Sequence, residues 1–240
     1  MNDDAASAPA ARSGGVPLGA ILAGGGSTRF GAPKALARVG GERIVDRVVA
    51  ALQAVTPALL LSTNDPAQFR ELDIPSCPDR RPDAGPLGGI HAVLLRAREL
   101  DRPGVLAVAV DMPFPSVPLL GRLRDEAFGT GGAGEARSPG SSPPGAPDVV
   151  VPESGGRRGI EPLFAAYRTS CLPAIDAALE AGDRRMIGFH ERVRVRRIPL
   201  AVVASLCDPA MAFLNVNTPE DRDRAEALLS RGTGSALEKR

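Results

Sequence analysis

The residues best equipped for chemistry lie in LGAILAGGGSTRFGAPK, residues 18 to 34. There an apolar run passes into Gly24, Gly25 and Gly26, then into a polar turn carrying Ser27, Arg29, Pro33 and Lys34. Glycines let a backbone approach a ligand closely and expose N–H groups to phosphate oxygens, while Arg and Lys supply the cationic charge that phosphoryl chemistry needs. The combination suits a nucleoside triphosphate. Its spacing is that of neither familiar phosphate loop. Lys34 sits between Pro33 and Ala35, unlike the lysine of G-x-x-x-x-G-K-[ST]. Arg29 stands where the third glycine of G-x-G-x-x-G belongs. A plain turn between a strand and a helix is the competing reading of the glycines.

Two further groups extend the constellation. Asp111 follows an apolar run directly, in VAVDMPF. A carboxylate there costs solvation energy unless it is paired or binds a cation, so Mg²⁺ is the functional reading and a cap of the turn before Pro113 the structural one. Asn64 follows another apolar run, and Asp79 and Asp83 precede the tight Gly85-Pro86-Leu87-Gly88-Gly89.

These residues meet only if the intervening chain forms strands and helices in the right order. LGAILA, ALLLST (58 to 63) and VLAVAV (105 to 110) are short apolar runs of the kind that form buried strands. In GERIVDRVVAALQAV the residues Ile44, Val45, Val48, Val49, Leu52 and Val55 recur at threes and fours, which predicts a helix ending near Pro57. GIHAVLLRAREL is also helix-like. Strand and helix in alternation predict parallel strands with right-handed crossovers, an α/β sandwich. In such sheets ligands bind beyond the carboxyl ends of the strands, where Gly24, Asn64 and Asp111 fall.

Further along, DVVVPE predicts a strand, residues 171 to 181 a helix, and residues 193 to 203 an extended segment. In NTPEDRDRAEALLSR, Thr218 suits an N-cap, Pro219 the first helical position, and Glu220 and Asp221 the positive end of a helix. Residues 1 to 17 and 231 to 240 are expected as tails on one domain spanning 18 to 230. Residues 129 to 147, rich in Gly, Ala, Pro and Ser, are expected as a flexible insertion.

Composition removes several classes of function. With 240 residues and 43% hydrophobic content the chain can bury a sizeable core. Its 29 basic and 28 acidic residues leave a formal net charge of +1, so no bulk field draws it to nucleic acid or a membrane surface. Seven Phe, one Tyr and no Trp offer little for base stacking. No apolar run approaches the roughly 20 residues of a membrane span. The acidic N-terminus has no apolar segment and is not a secretory signal, so the chain is expected in the cytoplasm. Cys77, Cys171 and Cys207 lack paired spacing and are read as small apolar fillers. His91 is read as a helix-surface or packing residue, and Arg194, Arg196 and Arg197 as the solvated face of an edge strand.

LAGGGSTRFGAPK, GPLGGI, DMPF, EPLFAAYR and NVNTPED, in this order, resemble the molybdenum cofactor guanylyltransferases within the nucleotidyltransferases, over residues 18 to 230 without the insertion. The opening motif marks the broad group; GPLGGI and NVNTPED mark the narrower one. The resemblance implies a Rossmann-like three-layer α/β/α sandwich with a mostly parallel sheet, of the nucleotide-diphospho-sugar transferase kind. It also implies transfer of GMP from GTP to the terminal phosphate of molybdenum-bearing molybdopterin. By motif, Leu22, Ala23 and Gly24 match nucleotide-holding backbone, Lys34 the phosphate-binding lysine, and Asn64 and Asp79 guanosine contacts, with Asp83 a competitor. Asp111 matches the position that binds nucleotide and Mg²⁺, and Arg29 would help Lys34 offset phosphate charge. On the acceptor side, Arg157, Arg158, Asn215 and Asn217 are plausible contacts for the anionic molybdopterin. Molybdoenzymes or their chaperones are the partners such a product implies. Two alternatives stand beside this one: another nucleotidyltransferase (a molybdopterin cytidylyltransferase, or a sugar-phosphate or phospholactate enzyme), and a non-catalytic nucleotide-binding module.

Overall fold

Leu18–Leu22 (β1) carries no polar side chain and is buried on both faces, as a central strand must be. A computed structural model describes residues 15–24, 36–81, 83–129, 145–156 and 159–237. Arg29, Lys34, Arg157 and Arg158, and all but the ends of the expected 129–147 insertion, lie outside the described residues.

From β1 the chain passes through a small hairpin, β2 (Arg38–Val39) and β3 (Glu42–Arg43), to α1 (Ile44–Gln53). β4 (Leu59–Ser62), β5 (Ser76–Cys77), α2 (Gly85–Glu99), β6 (Gly104–Ala109) and α3 (Val117–Phe128) follow. The second half contains β7 (Val149–Pro152), β8 (Phe164–Arg168), α4 (Leu172–Glu180), β9 (Val195–Ile198), α5 (Leu200–Leu206), α6 (Pro209–Ala212) and α7 (Pro219–Leu237). Seven strands form one sheet in the order β5-β4-β1-β6-β8-β7-β9. It is mostly parallel, with β8 antiparallel to both its neighbours.

The alternation of side chains along the strands builds a core on each face. Leu18, Ala20, Leu22, Val105 and Ala107 pack under α2 and α4, with Leu87, Ile90, Leu172 and Ile175. Ile21, Leu61, Leu106 and Val108 face the other way, against Val45, Val48 and Leu52 of α1 and Leu119, Leu120 and Leu123 of α3. Two cores separated by one sheet make a three-layer α/β/α sandwich. A third cluster, Val39, Ile44, Val216 and Ala225, seats the β2–β3 hairpin against α7.

Two expectations change. The extended segment predicted for 193 to 203 ends at Ile198, and Leu200–Leu206 is helical. Pro199 supplies no N–H to continue the ladder, and its carbonyl accepts from Val202 and Val203, opening the helix instead. At the C-terminus α7 continues to Leu237, into residues expected as a tail. Its start is as expected: Asp221 N–H donates to Thr218 Oγ1 at 3.2 Å, while Asp221 Oδ2 accepts from the N–H groups of Asn217 and Thr218. On the edge strand β9, Arg196 and Arg197 are exposed, and Arg196 reaches Glu126 on α3.

Candidate active site

The four parallel strands end in register. Leu22 lies opposite Ser62 on one side and Ala109 on the other, and Ser62 lies opposite Cys77. Two residues beyond that row stand Gly24, Asn64, Asp79 and Asp111. The ladder carries on just past the row, with Ala23 N–H donating to Ser62 O at 2.9 Å, Thr63 N–H to Cys77 O at 3.1 Å and Val110 N–H to Leu22 O at 3.0 Å. Strand register therefore delivers all four residues to one edge of the sheet. Because β4 and β6 depart from opposite sides of β1, that edge is where a doubly wound sheet opens a crevice.

On the β4 side the groups touch. Asn64 clasps Asp79 twice: its Oδ1 accepts from the Asp79 N–H at 2.9 Å, and its Nδ2 donates to Asp79 Oδ2 at 3.3 Å. A Cβ on Gly24 would lie 3.9 Å from the same Oδ2, so the backbone after β1 faces the pair. Burial raises the Asp79 pKa, and the hydrogen bond from Asn64 opposes that shift. Asp79 Oδ1 is buried without a hydrogen-bond partner among the described residues. Asp83, the competitor, is an exposed residue with φ of 60°, and it is Asp79 that Asn64 holds.

The start of α2 closes in from below. A Cβ on Gly88 would approach Ala84 Cβ to 2.8 Å, and one on Gly89 would lie 3.0 Å from Ser62 Oγ and 3.7 Å from Asp79 Oδ1. The glycines of GPLGGI therefore let the positive end of a 15-residue helix press against the strand ends and Asp79. Ser62 is wholly buried, and its hydroxyl, without a hydrogen-bond partner among the described residues, sits at the same contact. It was not singled out from sequence, although a hydroxyl closing the apolar run ALLLS is the kind of signal that marks such a position.

Across β1, Asp111 O accepts from Val216 N–H at 2.8 Å, which brings Asn215 and Asn217 beside the end of β6. Asn215 Nδ2 donates to Phe213 O at 3.3 Å, and Phe213 packs edge-on against Phe164 of β8. The structure thus gathers Gly24, Asn64 and Asp79 on one flank and Asp111, Asn215 and Asn217 on the other. Among the described residues no three His, Cys, Asp or Glu side chains cluster as a closed metal cage. A single hard carboxylate at a strand end fits Mg²⁺ held mostly by water and substrate phosphates, and does not fit zinc.

Of the two readings of His91, helix surface or packing, its burial on α2 removes the first and leaves packing. All three cysteines are free thiols, and Cys171 is buried.

A family model described as a MobA-like NTP transferase domain matches residues 19–195. A probable molybdenum cofactor guanylyltransferase of Pelotomaculum thermopropionicum is 34% identical over 210 residues, 88% of this chain and 92% of that protein. The molybdenum cofactor guanylyltransferase of Desulfosudis oleivorans is 30% identical, covering 89% of this chain and 96% of its own. Among solved structures, molybdopterin-guanine dinucleotide biosynthesis protein A from Archaeoglobus fulgidus superposes with a TM-score of 0.68 at 25% identity, over 88% of this chain and 98% of that one.

Proposed function

The chain belongs to the MobA-like NTP transferase family, within which it matches molybdenum cofactor guanylyltransferases along most of their length, and from this premise we propose a specific reaction. The enzyme is a nucleotidyltransferase that moves GMP from GTP to the terminal phosphate of molybdenum-bearing molybdopterin. The products are molybdopterin guanine dinucleotide and pyrophosphate.

The observation that carries this reading is the convergence of Gly24, Asn64 and Asp79 beside the start of α2, with Asp111 across β1. Asp79 accepts from the N–H groups of the guanosine while Asn64 fixes the carboxylate's position. The backbone of Leu22, Ala23 and Gly24 lines the nucleotide, and Lys34 and Arg29 offset the triphosphate charge. An oxygen of the acceptor's terminal phosphate attacks the α-phosphorus, a new P–O bond forms, and the α–β anhydride bond breaks to release pyrophosphate. The acceptor brings its own nucleophile, so no Ser-His-Asp set is needed. Asp111 would hold Mg²⁺, which supplies Lewis-acid stabilisation of the charge developing on the transferred and leaving phosphates. Asn215 and Asn217 face the anionic acceptor, with Asn217 just ahead of the N-terminus of α7, and Arg157 is assigned to offset its charge.

The finished cofactor passes to molybdoenzymes or their chaperones. The reaction is assigned to the cytoplasm, a reducing compartment in keeping with three free thiols.

Pyrophosphate release, measured with each of the four ribonucleoside triphosphates together with molybdopterin and Mg²⁺, tests the proposal. Release with GTP is expected. A clear preference for CTP would transfer the chain to the cytidylyltransferases, and no release with any nucleotide would favour a binding module.

A further inference from the structure

The described residues between β5 and α2, Asp79 among them, form no helix or strand, yet Asp79 must be held to within a hydrogen bond's tolerance to read a base. Part of that restraint comes from Asn64. A second part comes from outside the site. Arg81, two residues after Asp79, reaches across to α4, where its guanidinium donates to Asp176 Oδ1 at 3.3 Å and Glu180 Oε1 at 3.5 Å. The same Asp176 oxygen lies 2.9 Å from Nε2 of His91, one turn into α2 from Gly88. Arg81 O accepts from Ala84 N–H and lies under Gly88, where an added Cβ would come within 3.6 Å of it.

His91 is almost fully buried, and burial lowers its pKa despite the carboxylate beside it. Its Nδ1 is buried without a hydrogen-bond partner among the described residues. The neutral ring therefore carries its proton on Nε2 and donates to Asp176. One carboxylate oxygen on α4 thus accepts from the base-reading segment and from the helix whose start presses on Asp79.

We propose that Asp176, bridging Arg81 and His91, is a positioning residue that sets the Asp79 segment against the start of α2 and so tunes the affinity for the nucleotide base. The inference rests on the reading of Asp79 as a nucleotide contact. Asp176 touches neither the base nor the phosphates. Its loss should loosen binding and leave the transfer step nearly unchanged.

The test compares Arg81→Ala, Asp176→Ala, Asp176→Asn, the double variant Arg81→Ala/Asp176→Ala and Asp79→Asn, each assayed for KM and kcat with GTP and for equilibrium GTP binding. Arg81→Ala and Asp176→Ala should each raise KM and Kd for GTP about 3- to 10-fold, the worth of about one net hydrogen bond. kcat should stay within about twofold. Asp176→Asn keeps an oxygen facing both donors and should recover most of the loss. The double variant should be less affected than the product of the singles, because the two residues form one link. Arg81 is only half-buried, so its variant decides the matter should Asp176→Ala fail to fold. If Asp79→Asn weakens GTP binding and Arg81→Ala does not, the positioning role is overturned while the functional reading stands. If Asp79→Asn leaves GTP binding intact, the reading beneath the proposal is overturned with it. A fall in kcat without a change in KM would also contradict the proposal.

Discussion

Asp79→Asn separates function from stability in a single residue. The substitution keeps size and shape, and the clasp of Asn64 Oδ1 on the backbone N–H of residue 79, at 2.9 Å, does not depend on the side chain. What disappears is the negative charge and one of two acceptor oxygens. A hydrogen bond to a charged group contributes about 1.5–3 kcal/mol, so losing one from a base N–H should weaken GTP binding about 10- to 100-fold. Stability should move the other way. Burial raises the Asp79 pKa in the folded chain, so its charged form is disfavoured there. For a carboxylate shifted upward, stability is greatest below the unfolded pKa and is lost as pH rises through the folded one. At neutral pH the wild-type protein therefore bears a cost that Asp79→Asn removes. Calorimetric titration with GTP, paired with thermal unfolding without nucleotide at neutral and acidic pH, measures both. The variant should bind GTP more weakly, melt higher at neutral pH, and lose that advantage as the pH falls. Unchanged GTP affinity would refute the role of Asp79 in binding, and a lower melting temperature at neutral pH would refute the electrostatic argument.

The proposed reaction and the packing of the chain lead to other outcomes. Lys34→Ala and Asp111→Ala should each reduce GMP transfer to background while the circular dichroism spectrum stays that of the wild type; wild-type rates in either would remove that residue from the mechanism. Gly104→Ala would place a Cβ 2.1 Å from Tyr167 O and 2.8 Å from Arg168 Cα, between backbone atoms of the next strand. It should cost about 1–3 kcal/mol or more, read as a lowered urea midpoint. Asp148 is buried and accepts from Ser170 Oγ at 2.6 Å and Arg194 N–H at 2.9 Å. Burial alone would raise its pKa, but these hydrogen bonds outweigh it and hold the carboxyl below its ordinary value. Its stabilisation is present above the unfolded pKa and fades as pH falls through the folded one. Asp148→Asn should therefore be less stable than wild type at neutral pH, and the gap should close in acid melts.

How much could be read beforehand depended on whether a signal is local. LGAIL, LLLS and VLAVA stand out because strands covered on both faces need apolar residues throughout, and each is a strand. The cap of α7 was legible because Thr218, Pro219 and Asp221 are adjacent. By contrast β5 has two residues and no periodicity, and α3 was not anticipated although Ser116 caps it and Leu119, Leu120 and Leu123 share its buried face. The valine-rich tract at β9 and α5 suits either state, and Pro199 decided between them. Within the site, residue types at strand ends suggested Asp111 and the glycines. That Asn64 grips Asp79 depends on strand register, which no single segment encodes. The link from Arg81 and His91 to Asp176 spans 95 and 85 residues, and arises only when α2 packs on α4.

Labelled nucleotide shows which group moves and onto what. The purified protein, incubated with Mg²⁺, molybdenum-bearing molybdopterin and GTP labelled at the α-phosphate, should place the label in a pterin dinucleotide and release unlabelled pyrophosphate in equal amount. CTP labelled in the same way should leave its label in the nucleotide. Label transferred from CTP in preference to GTP, or pyrophosphate released without labelled dinucleotide, would contradict the account.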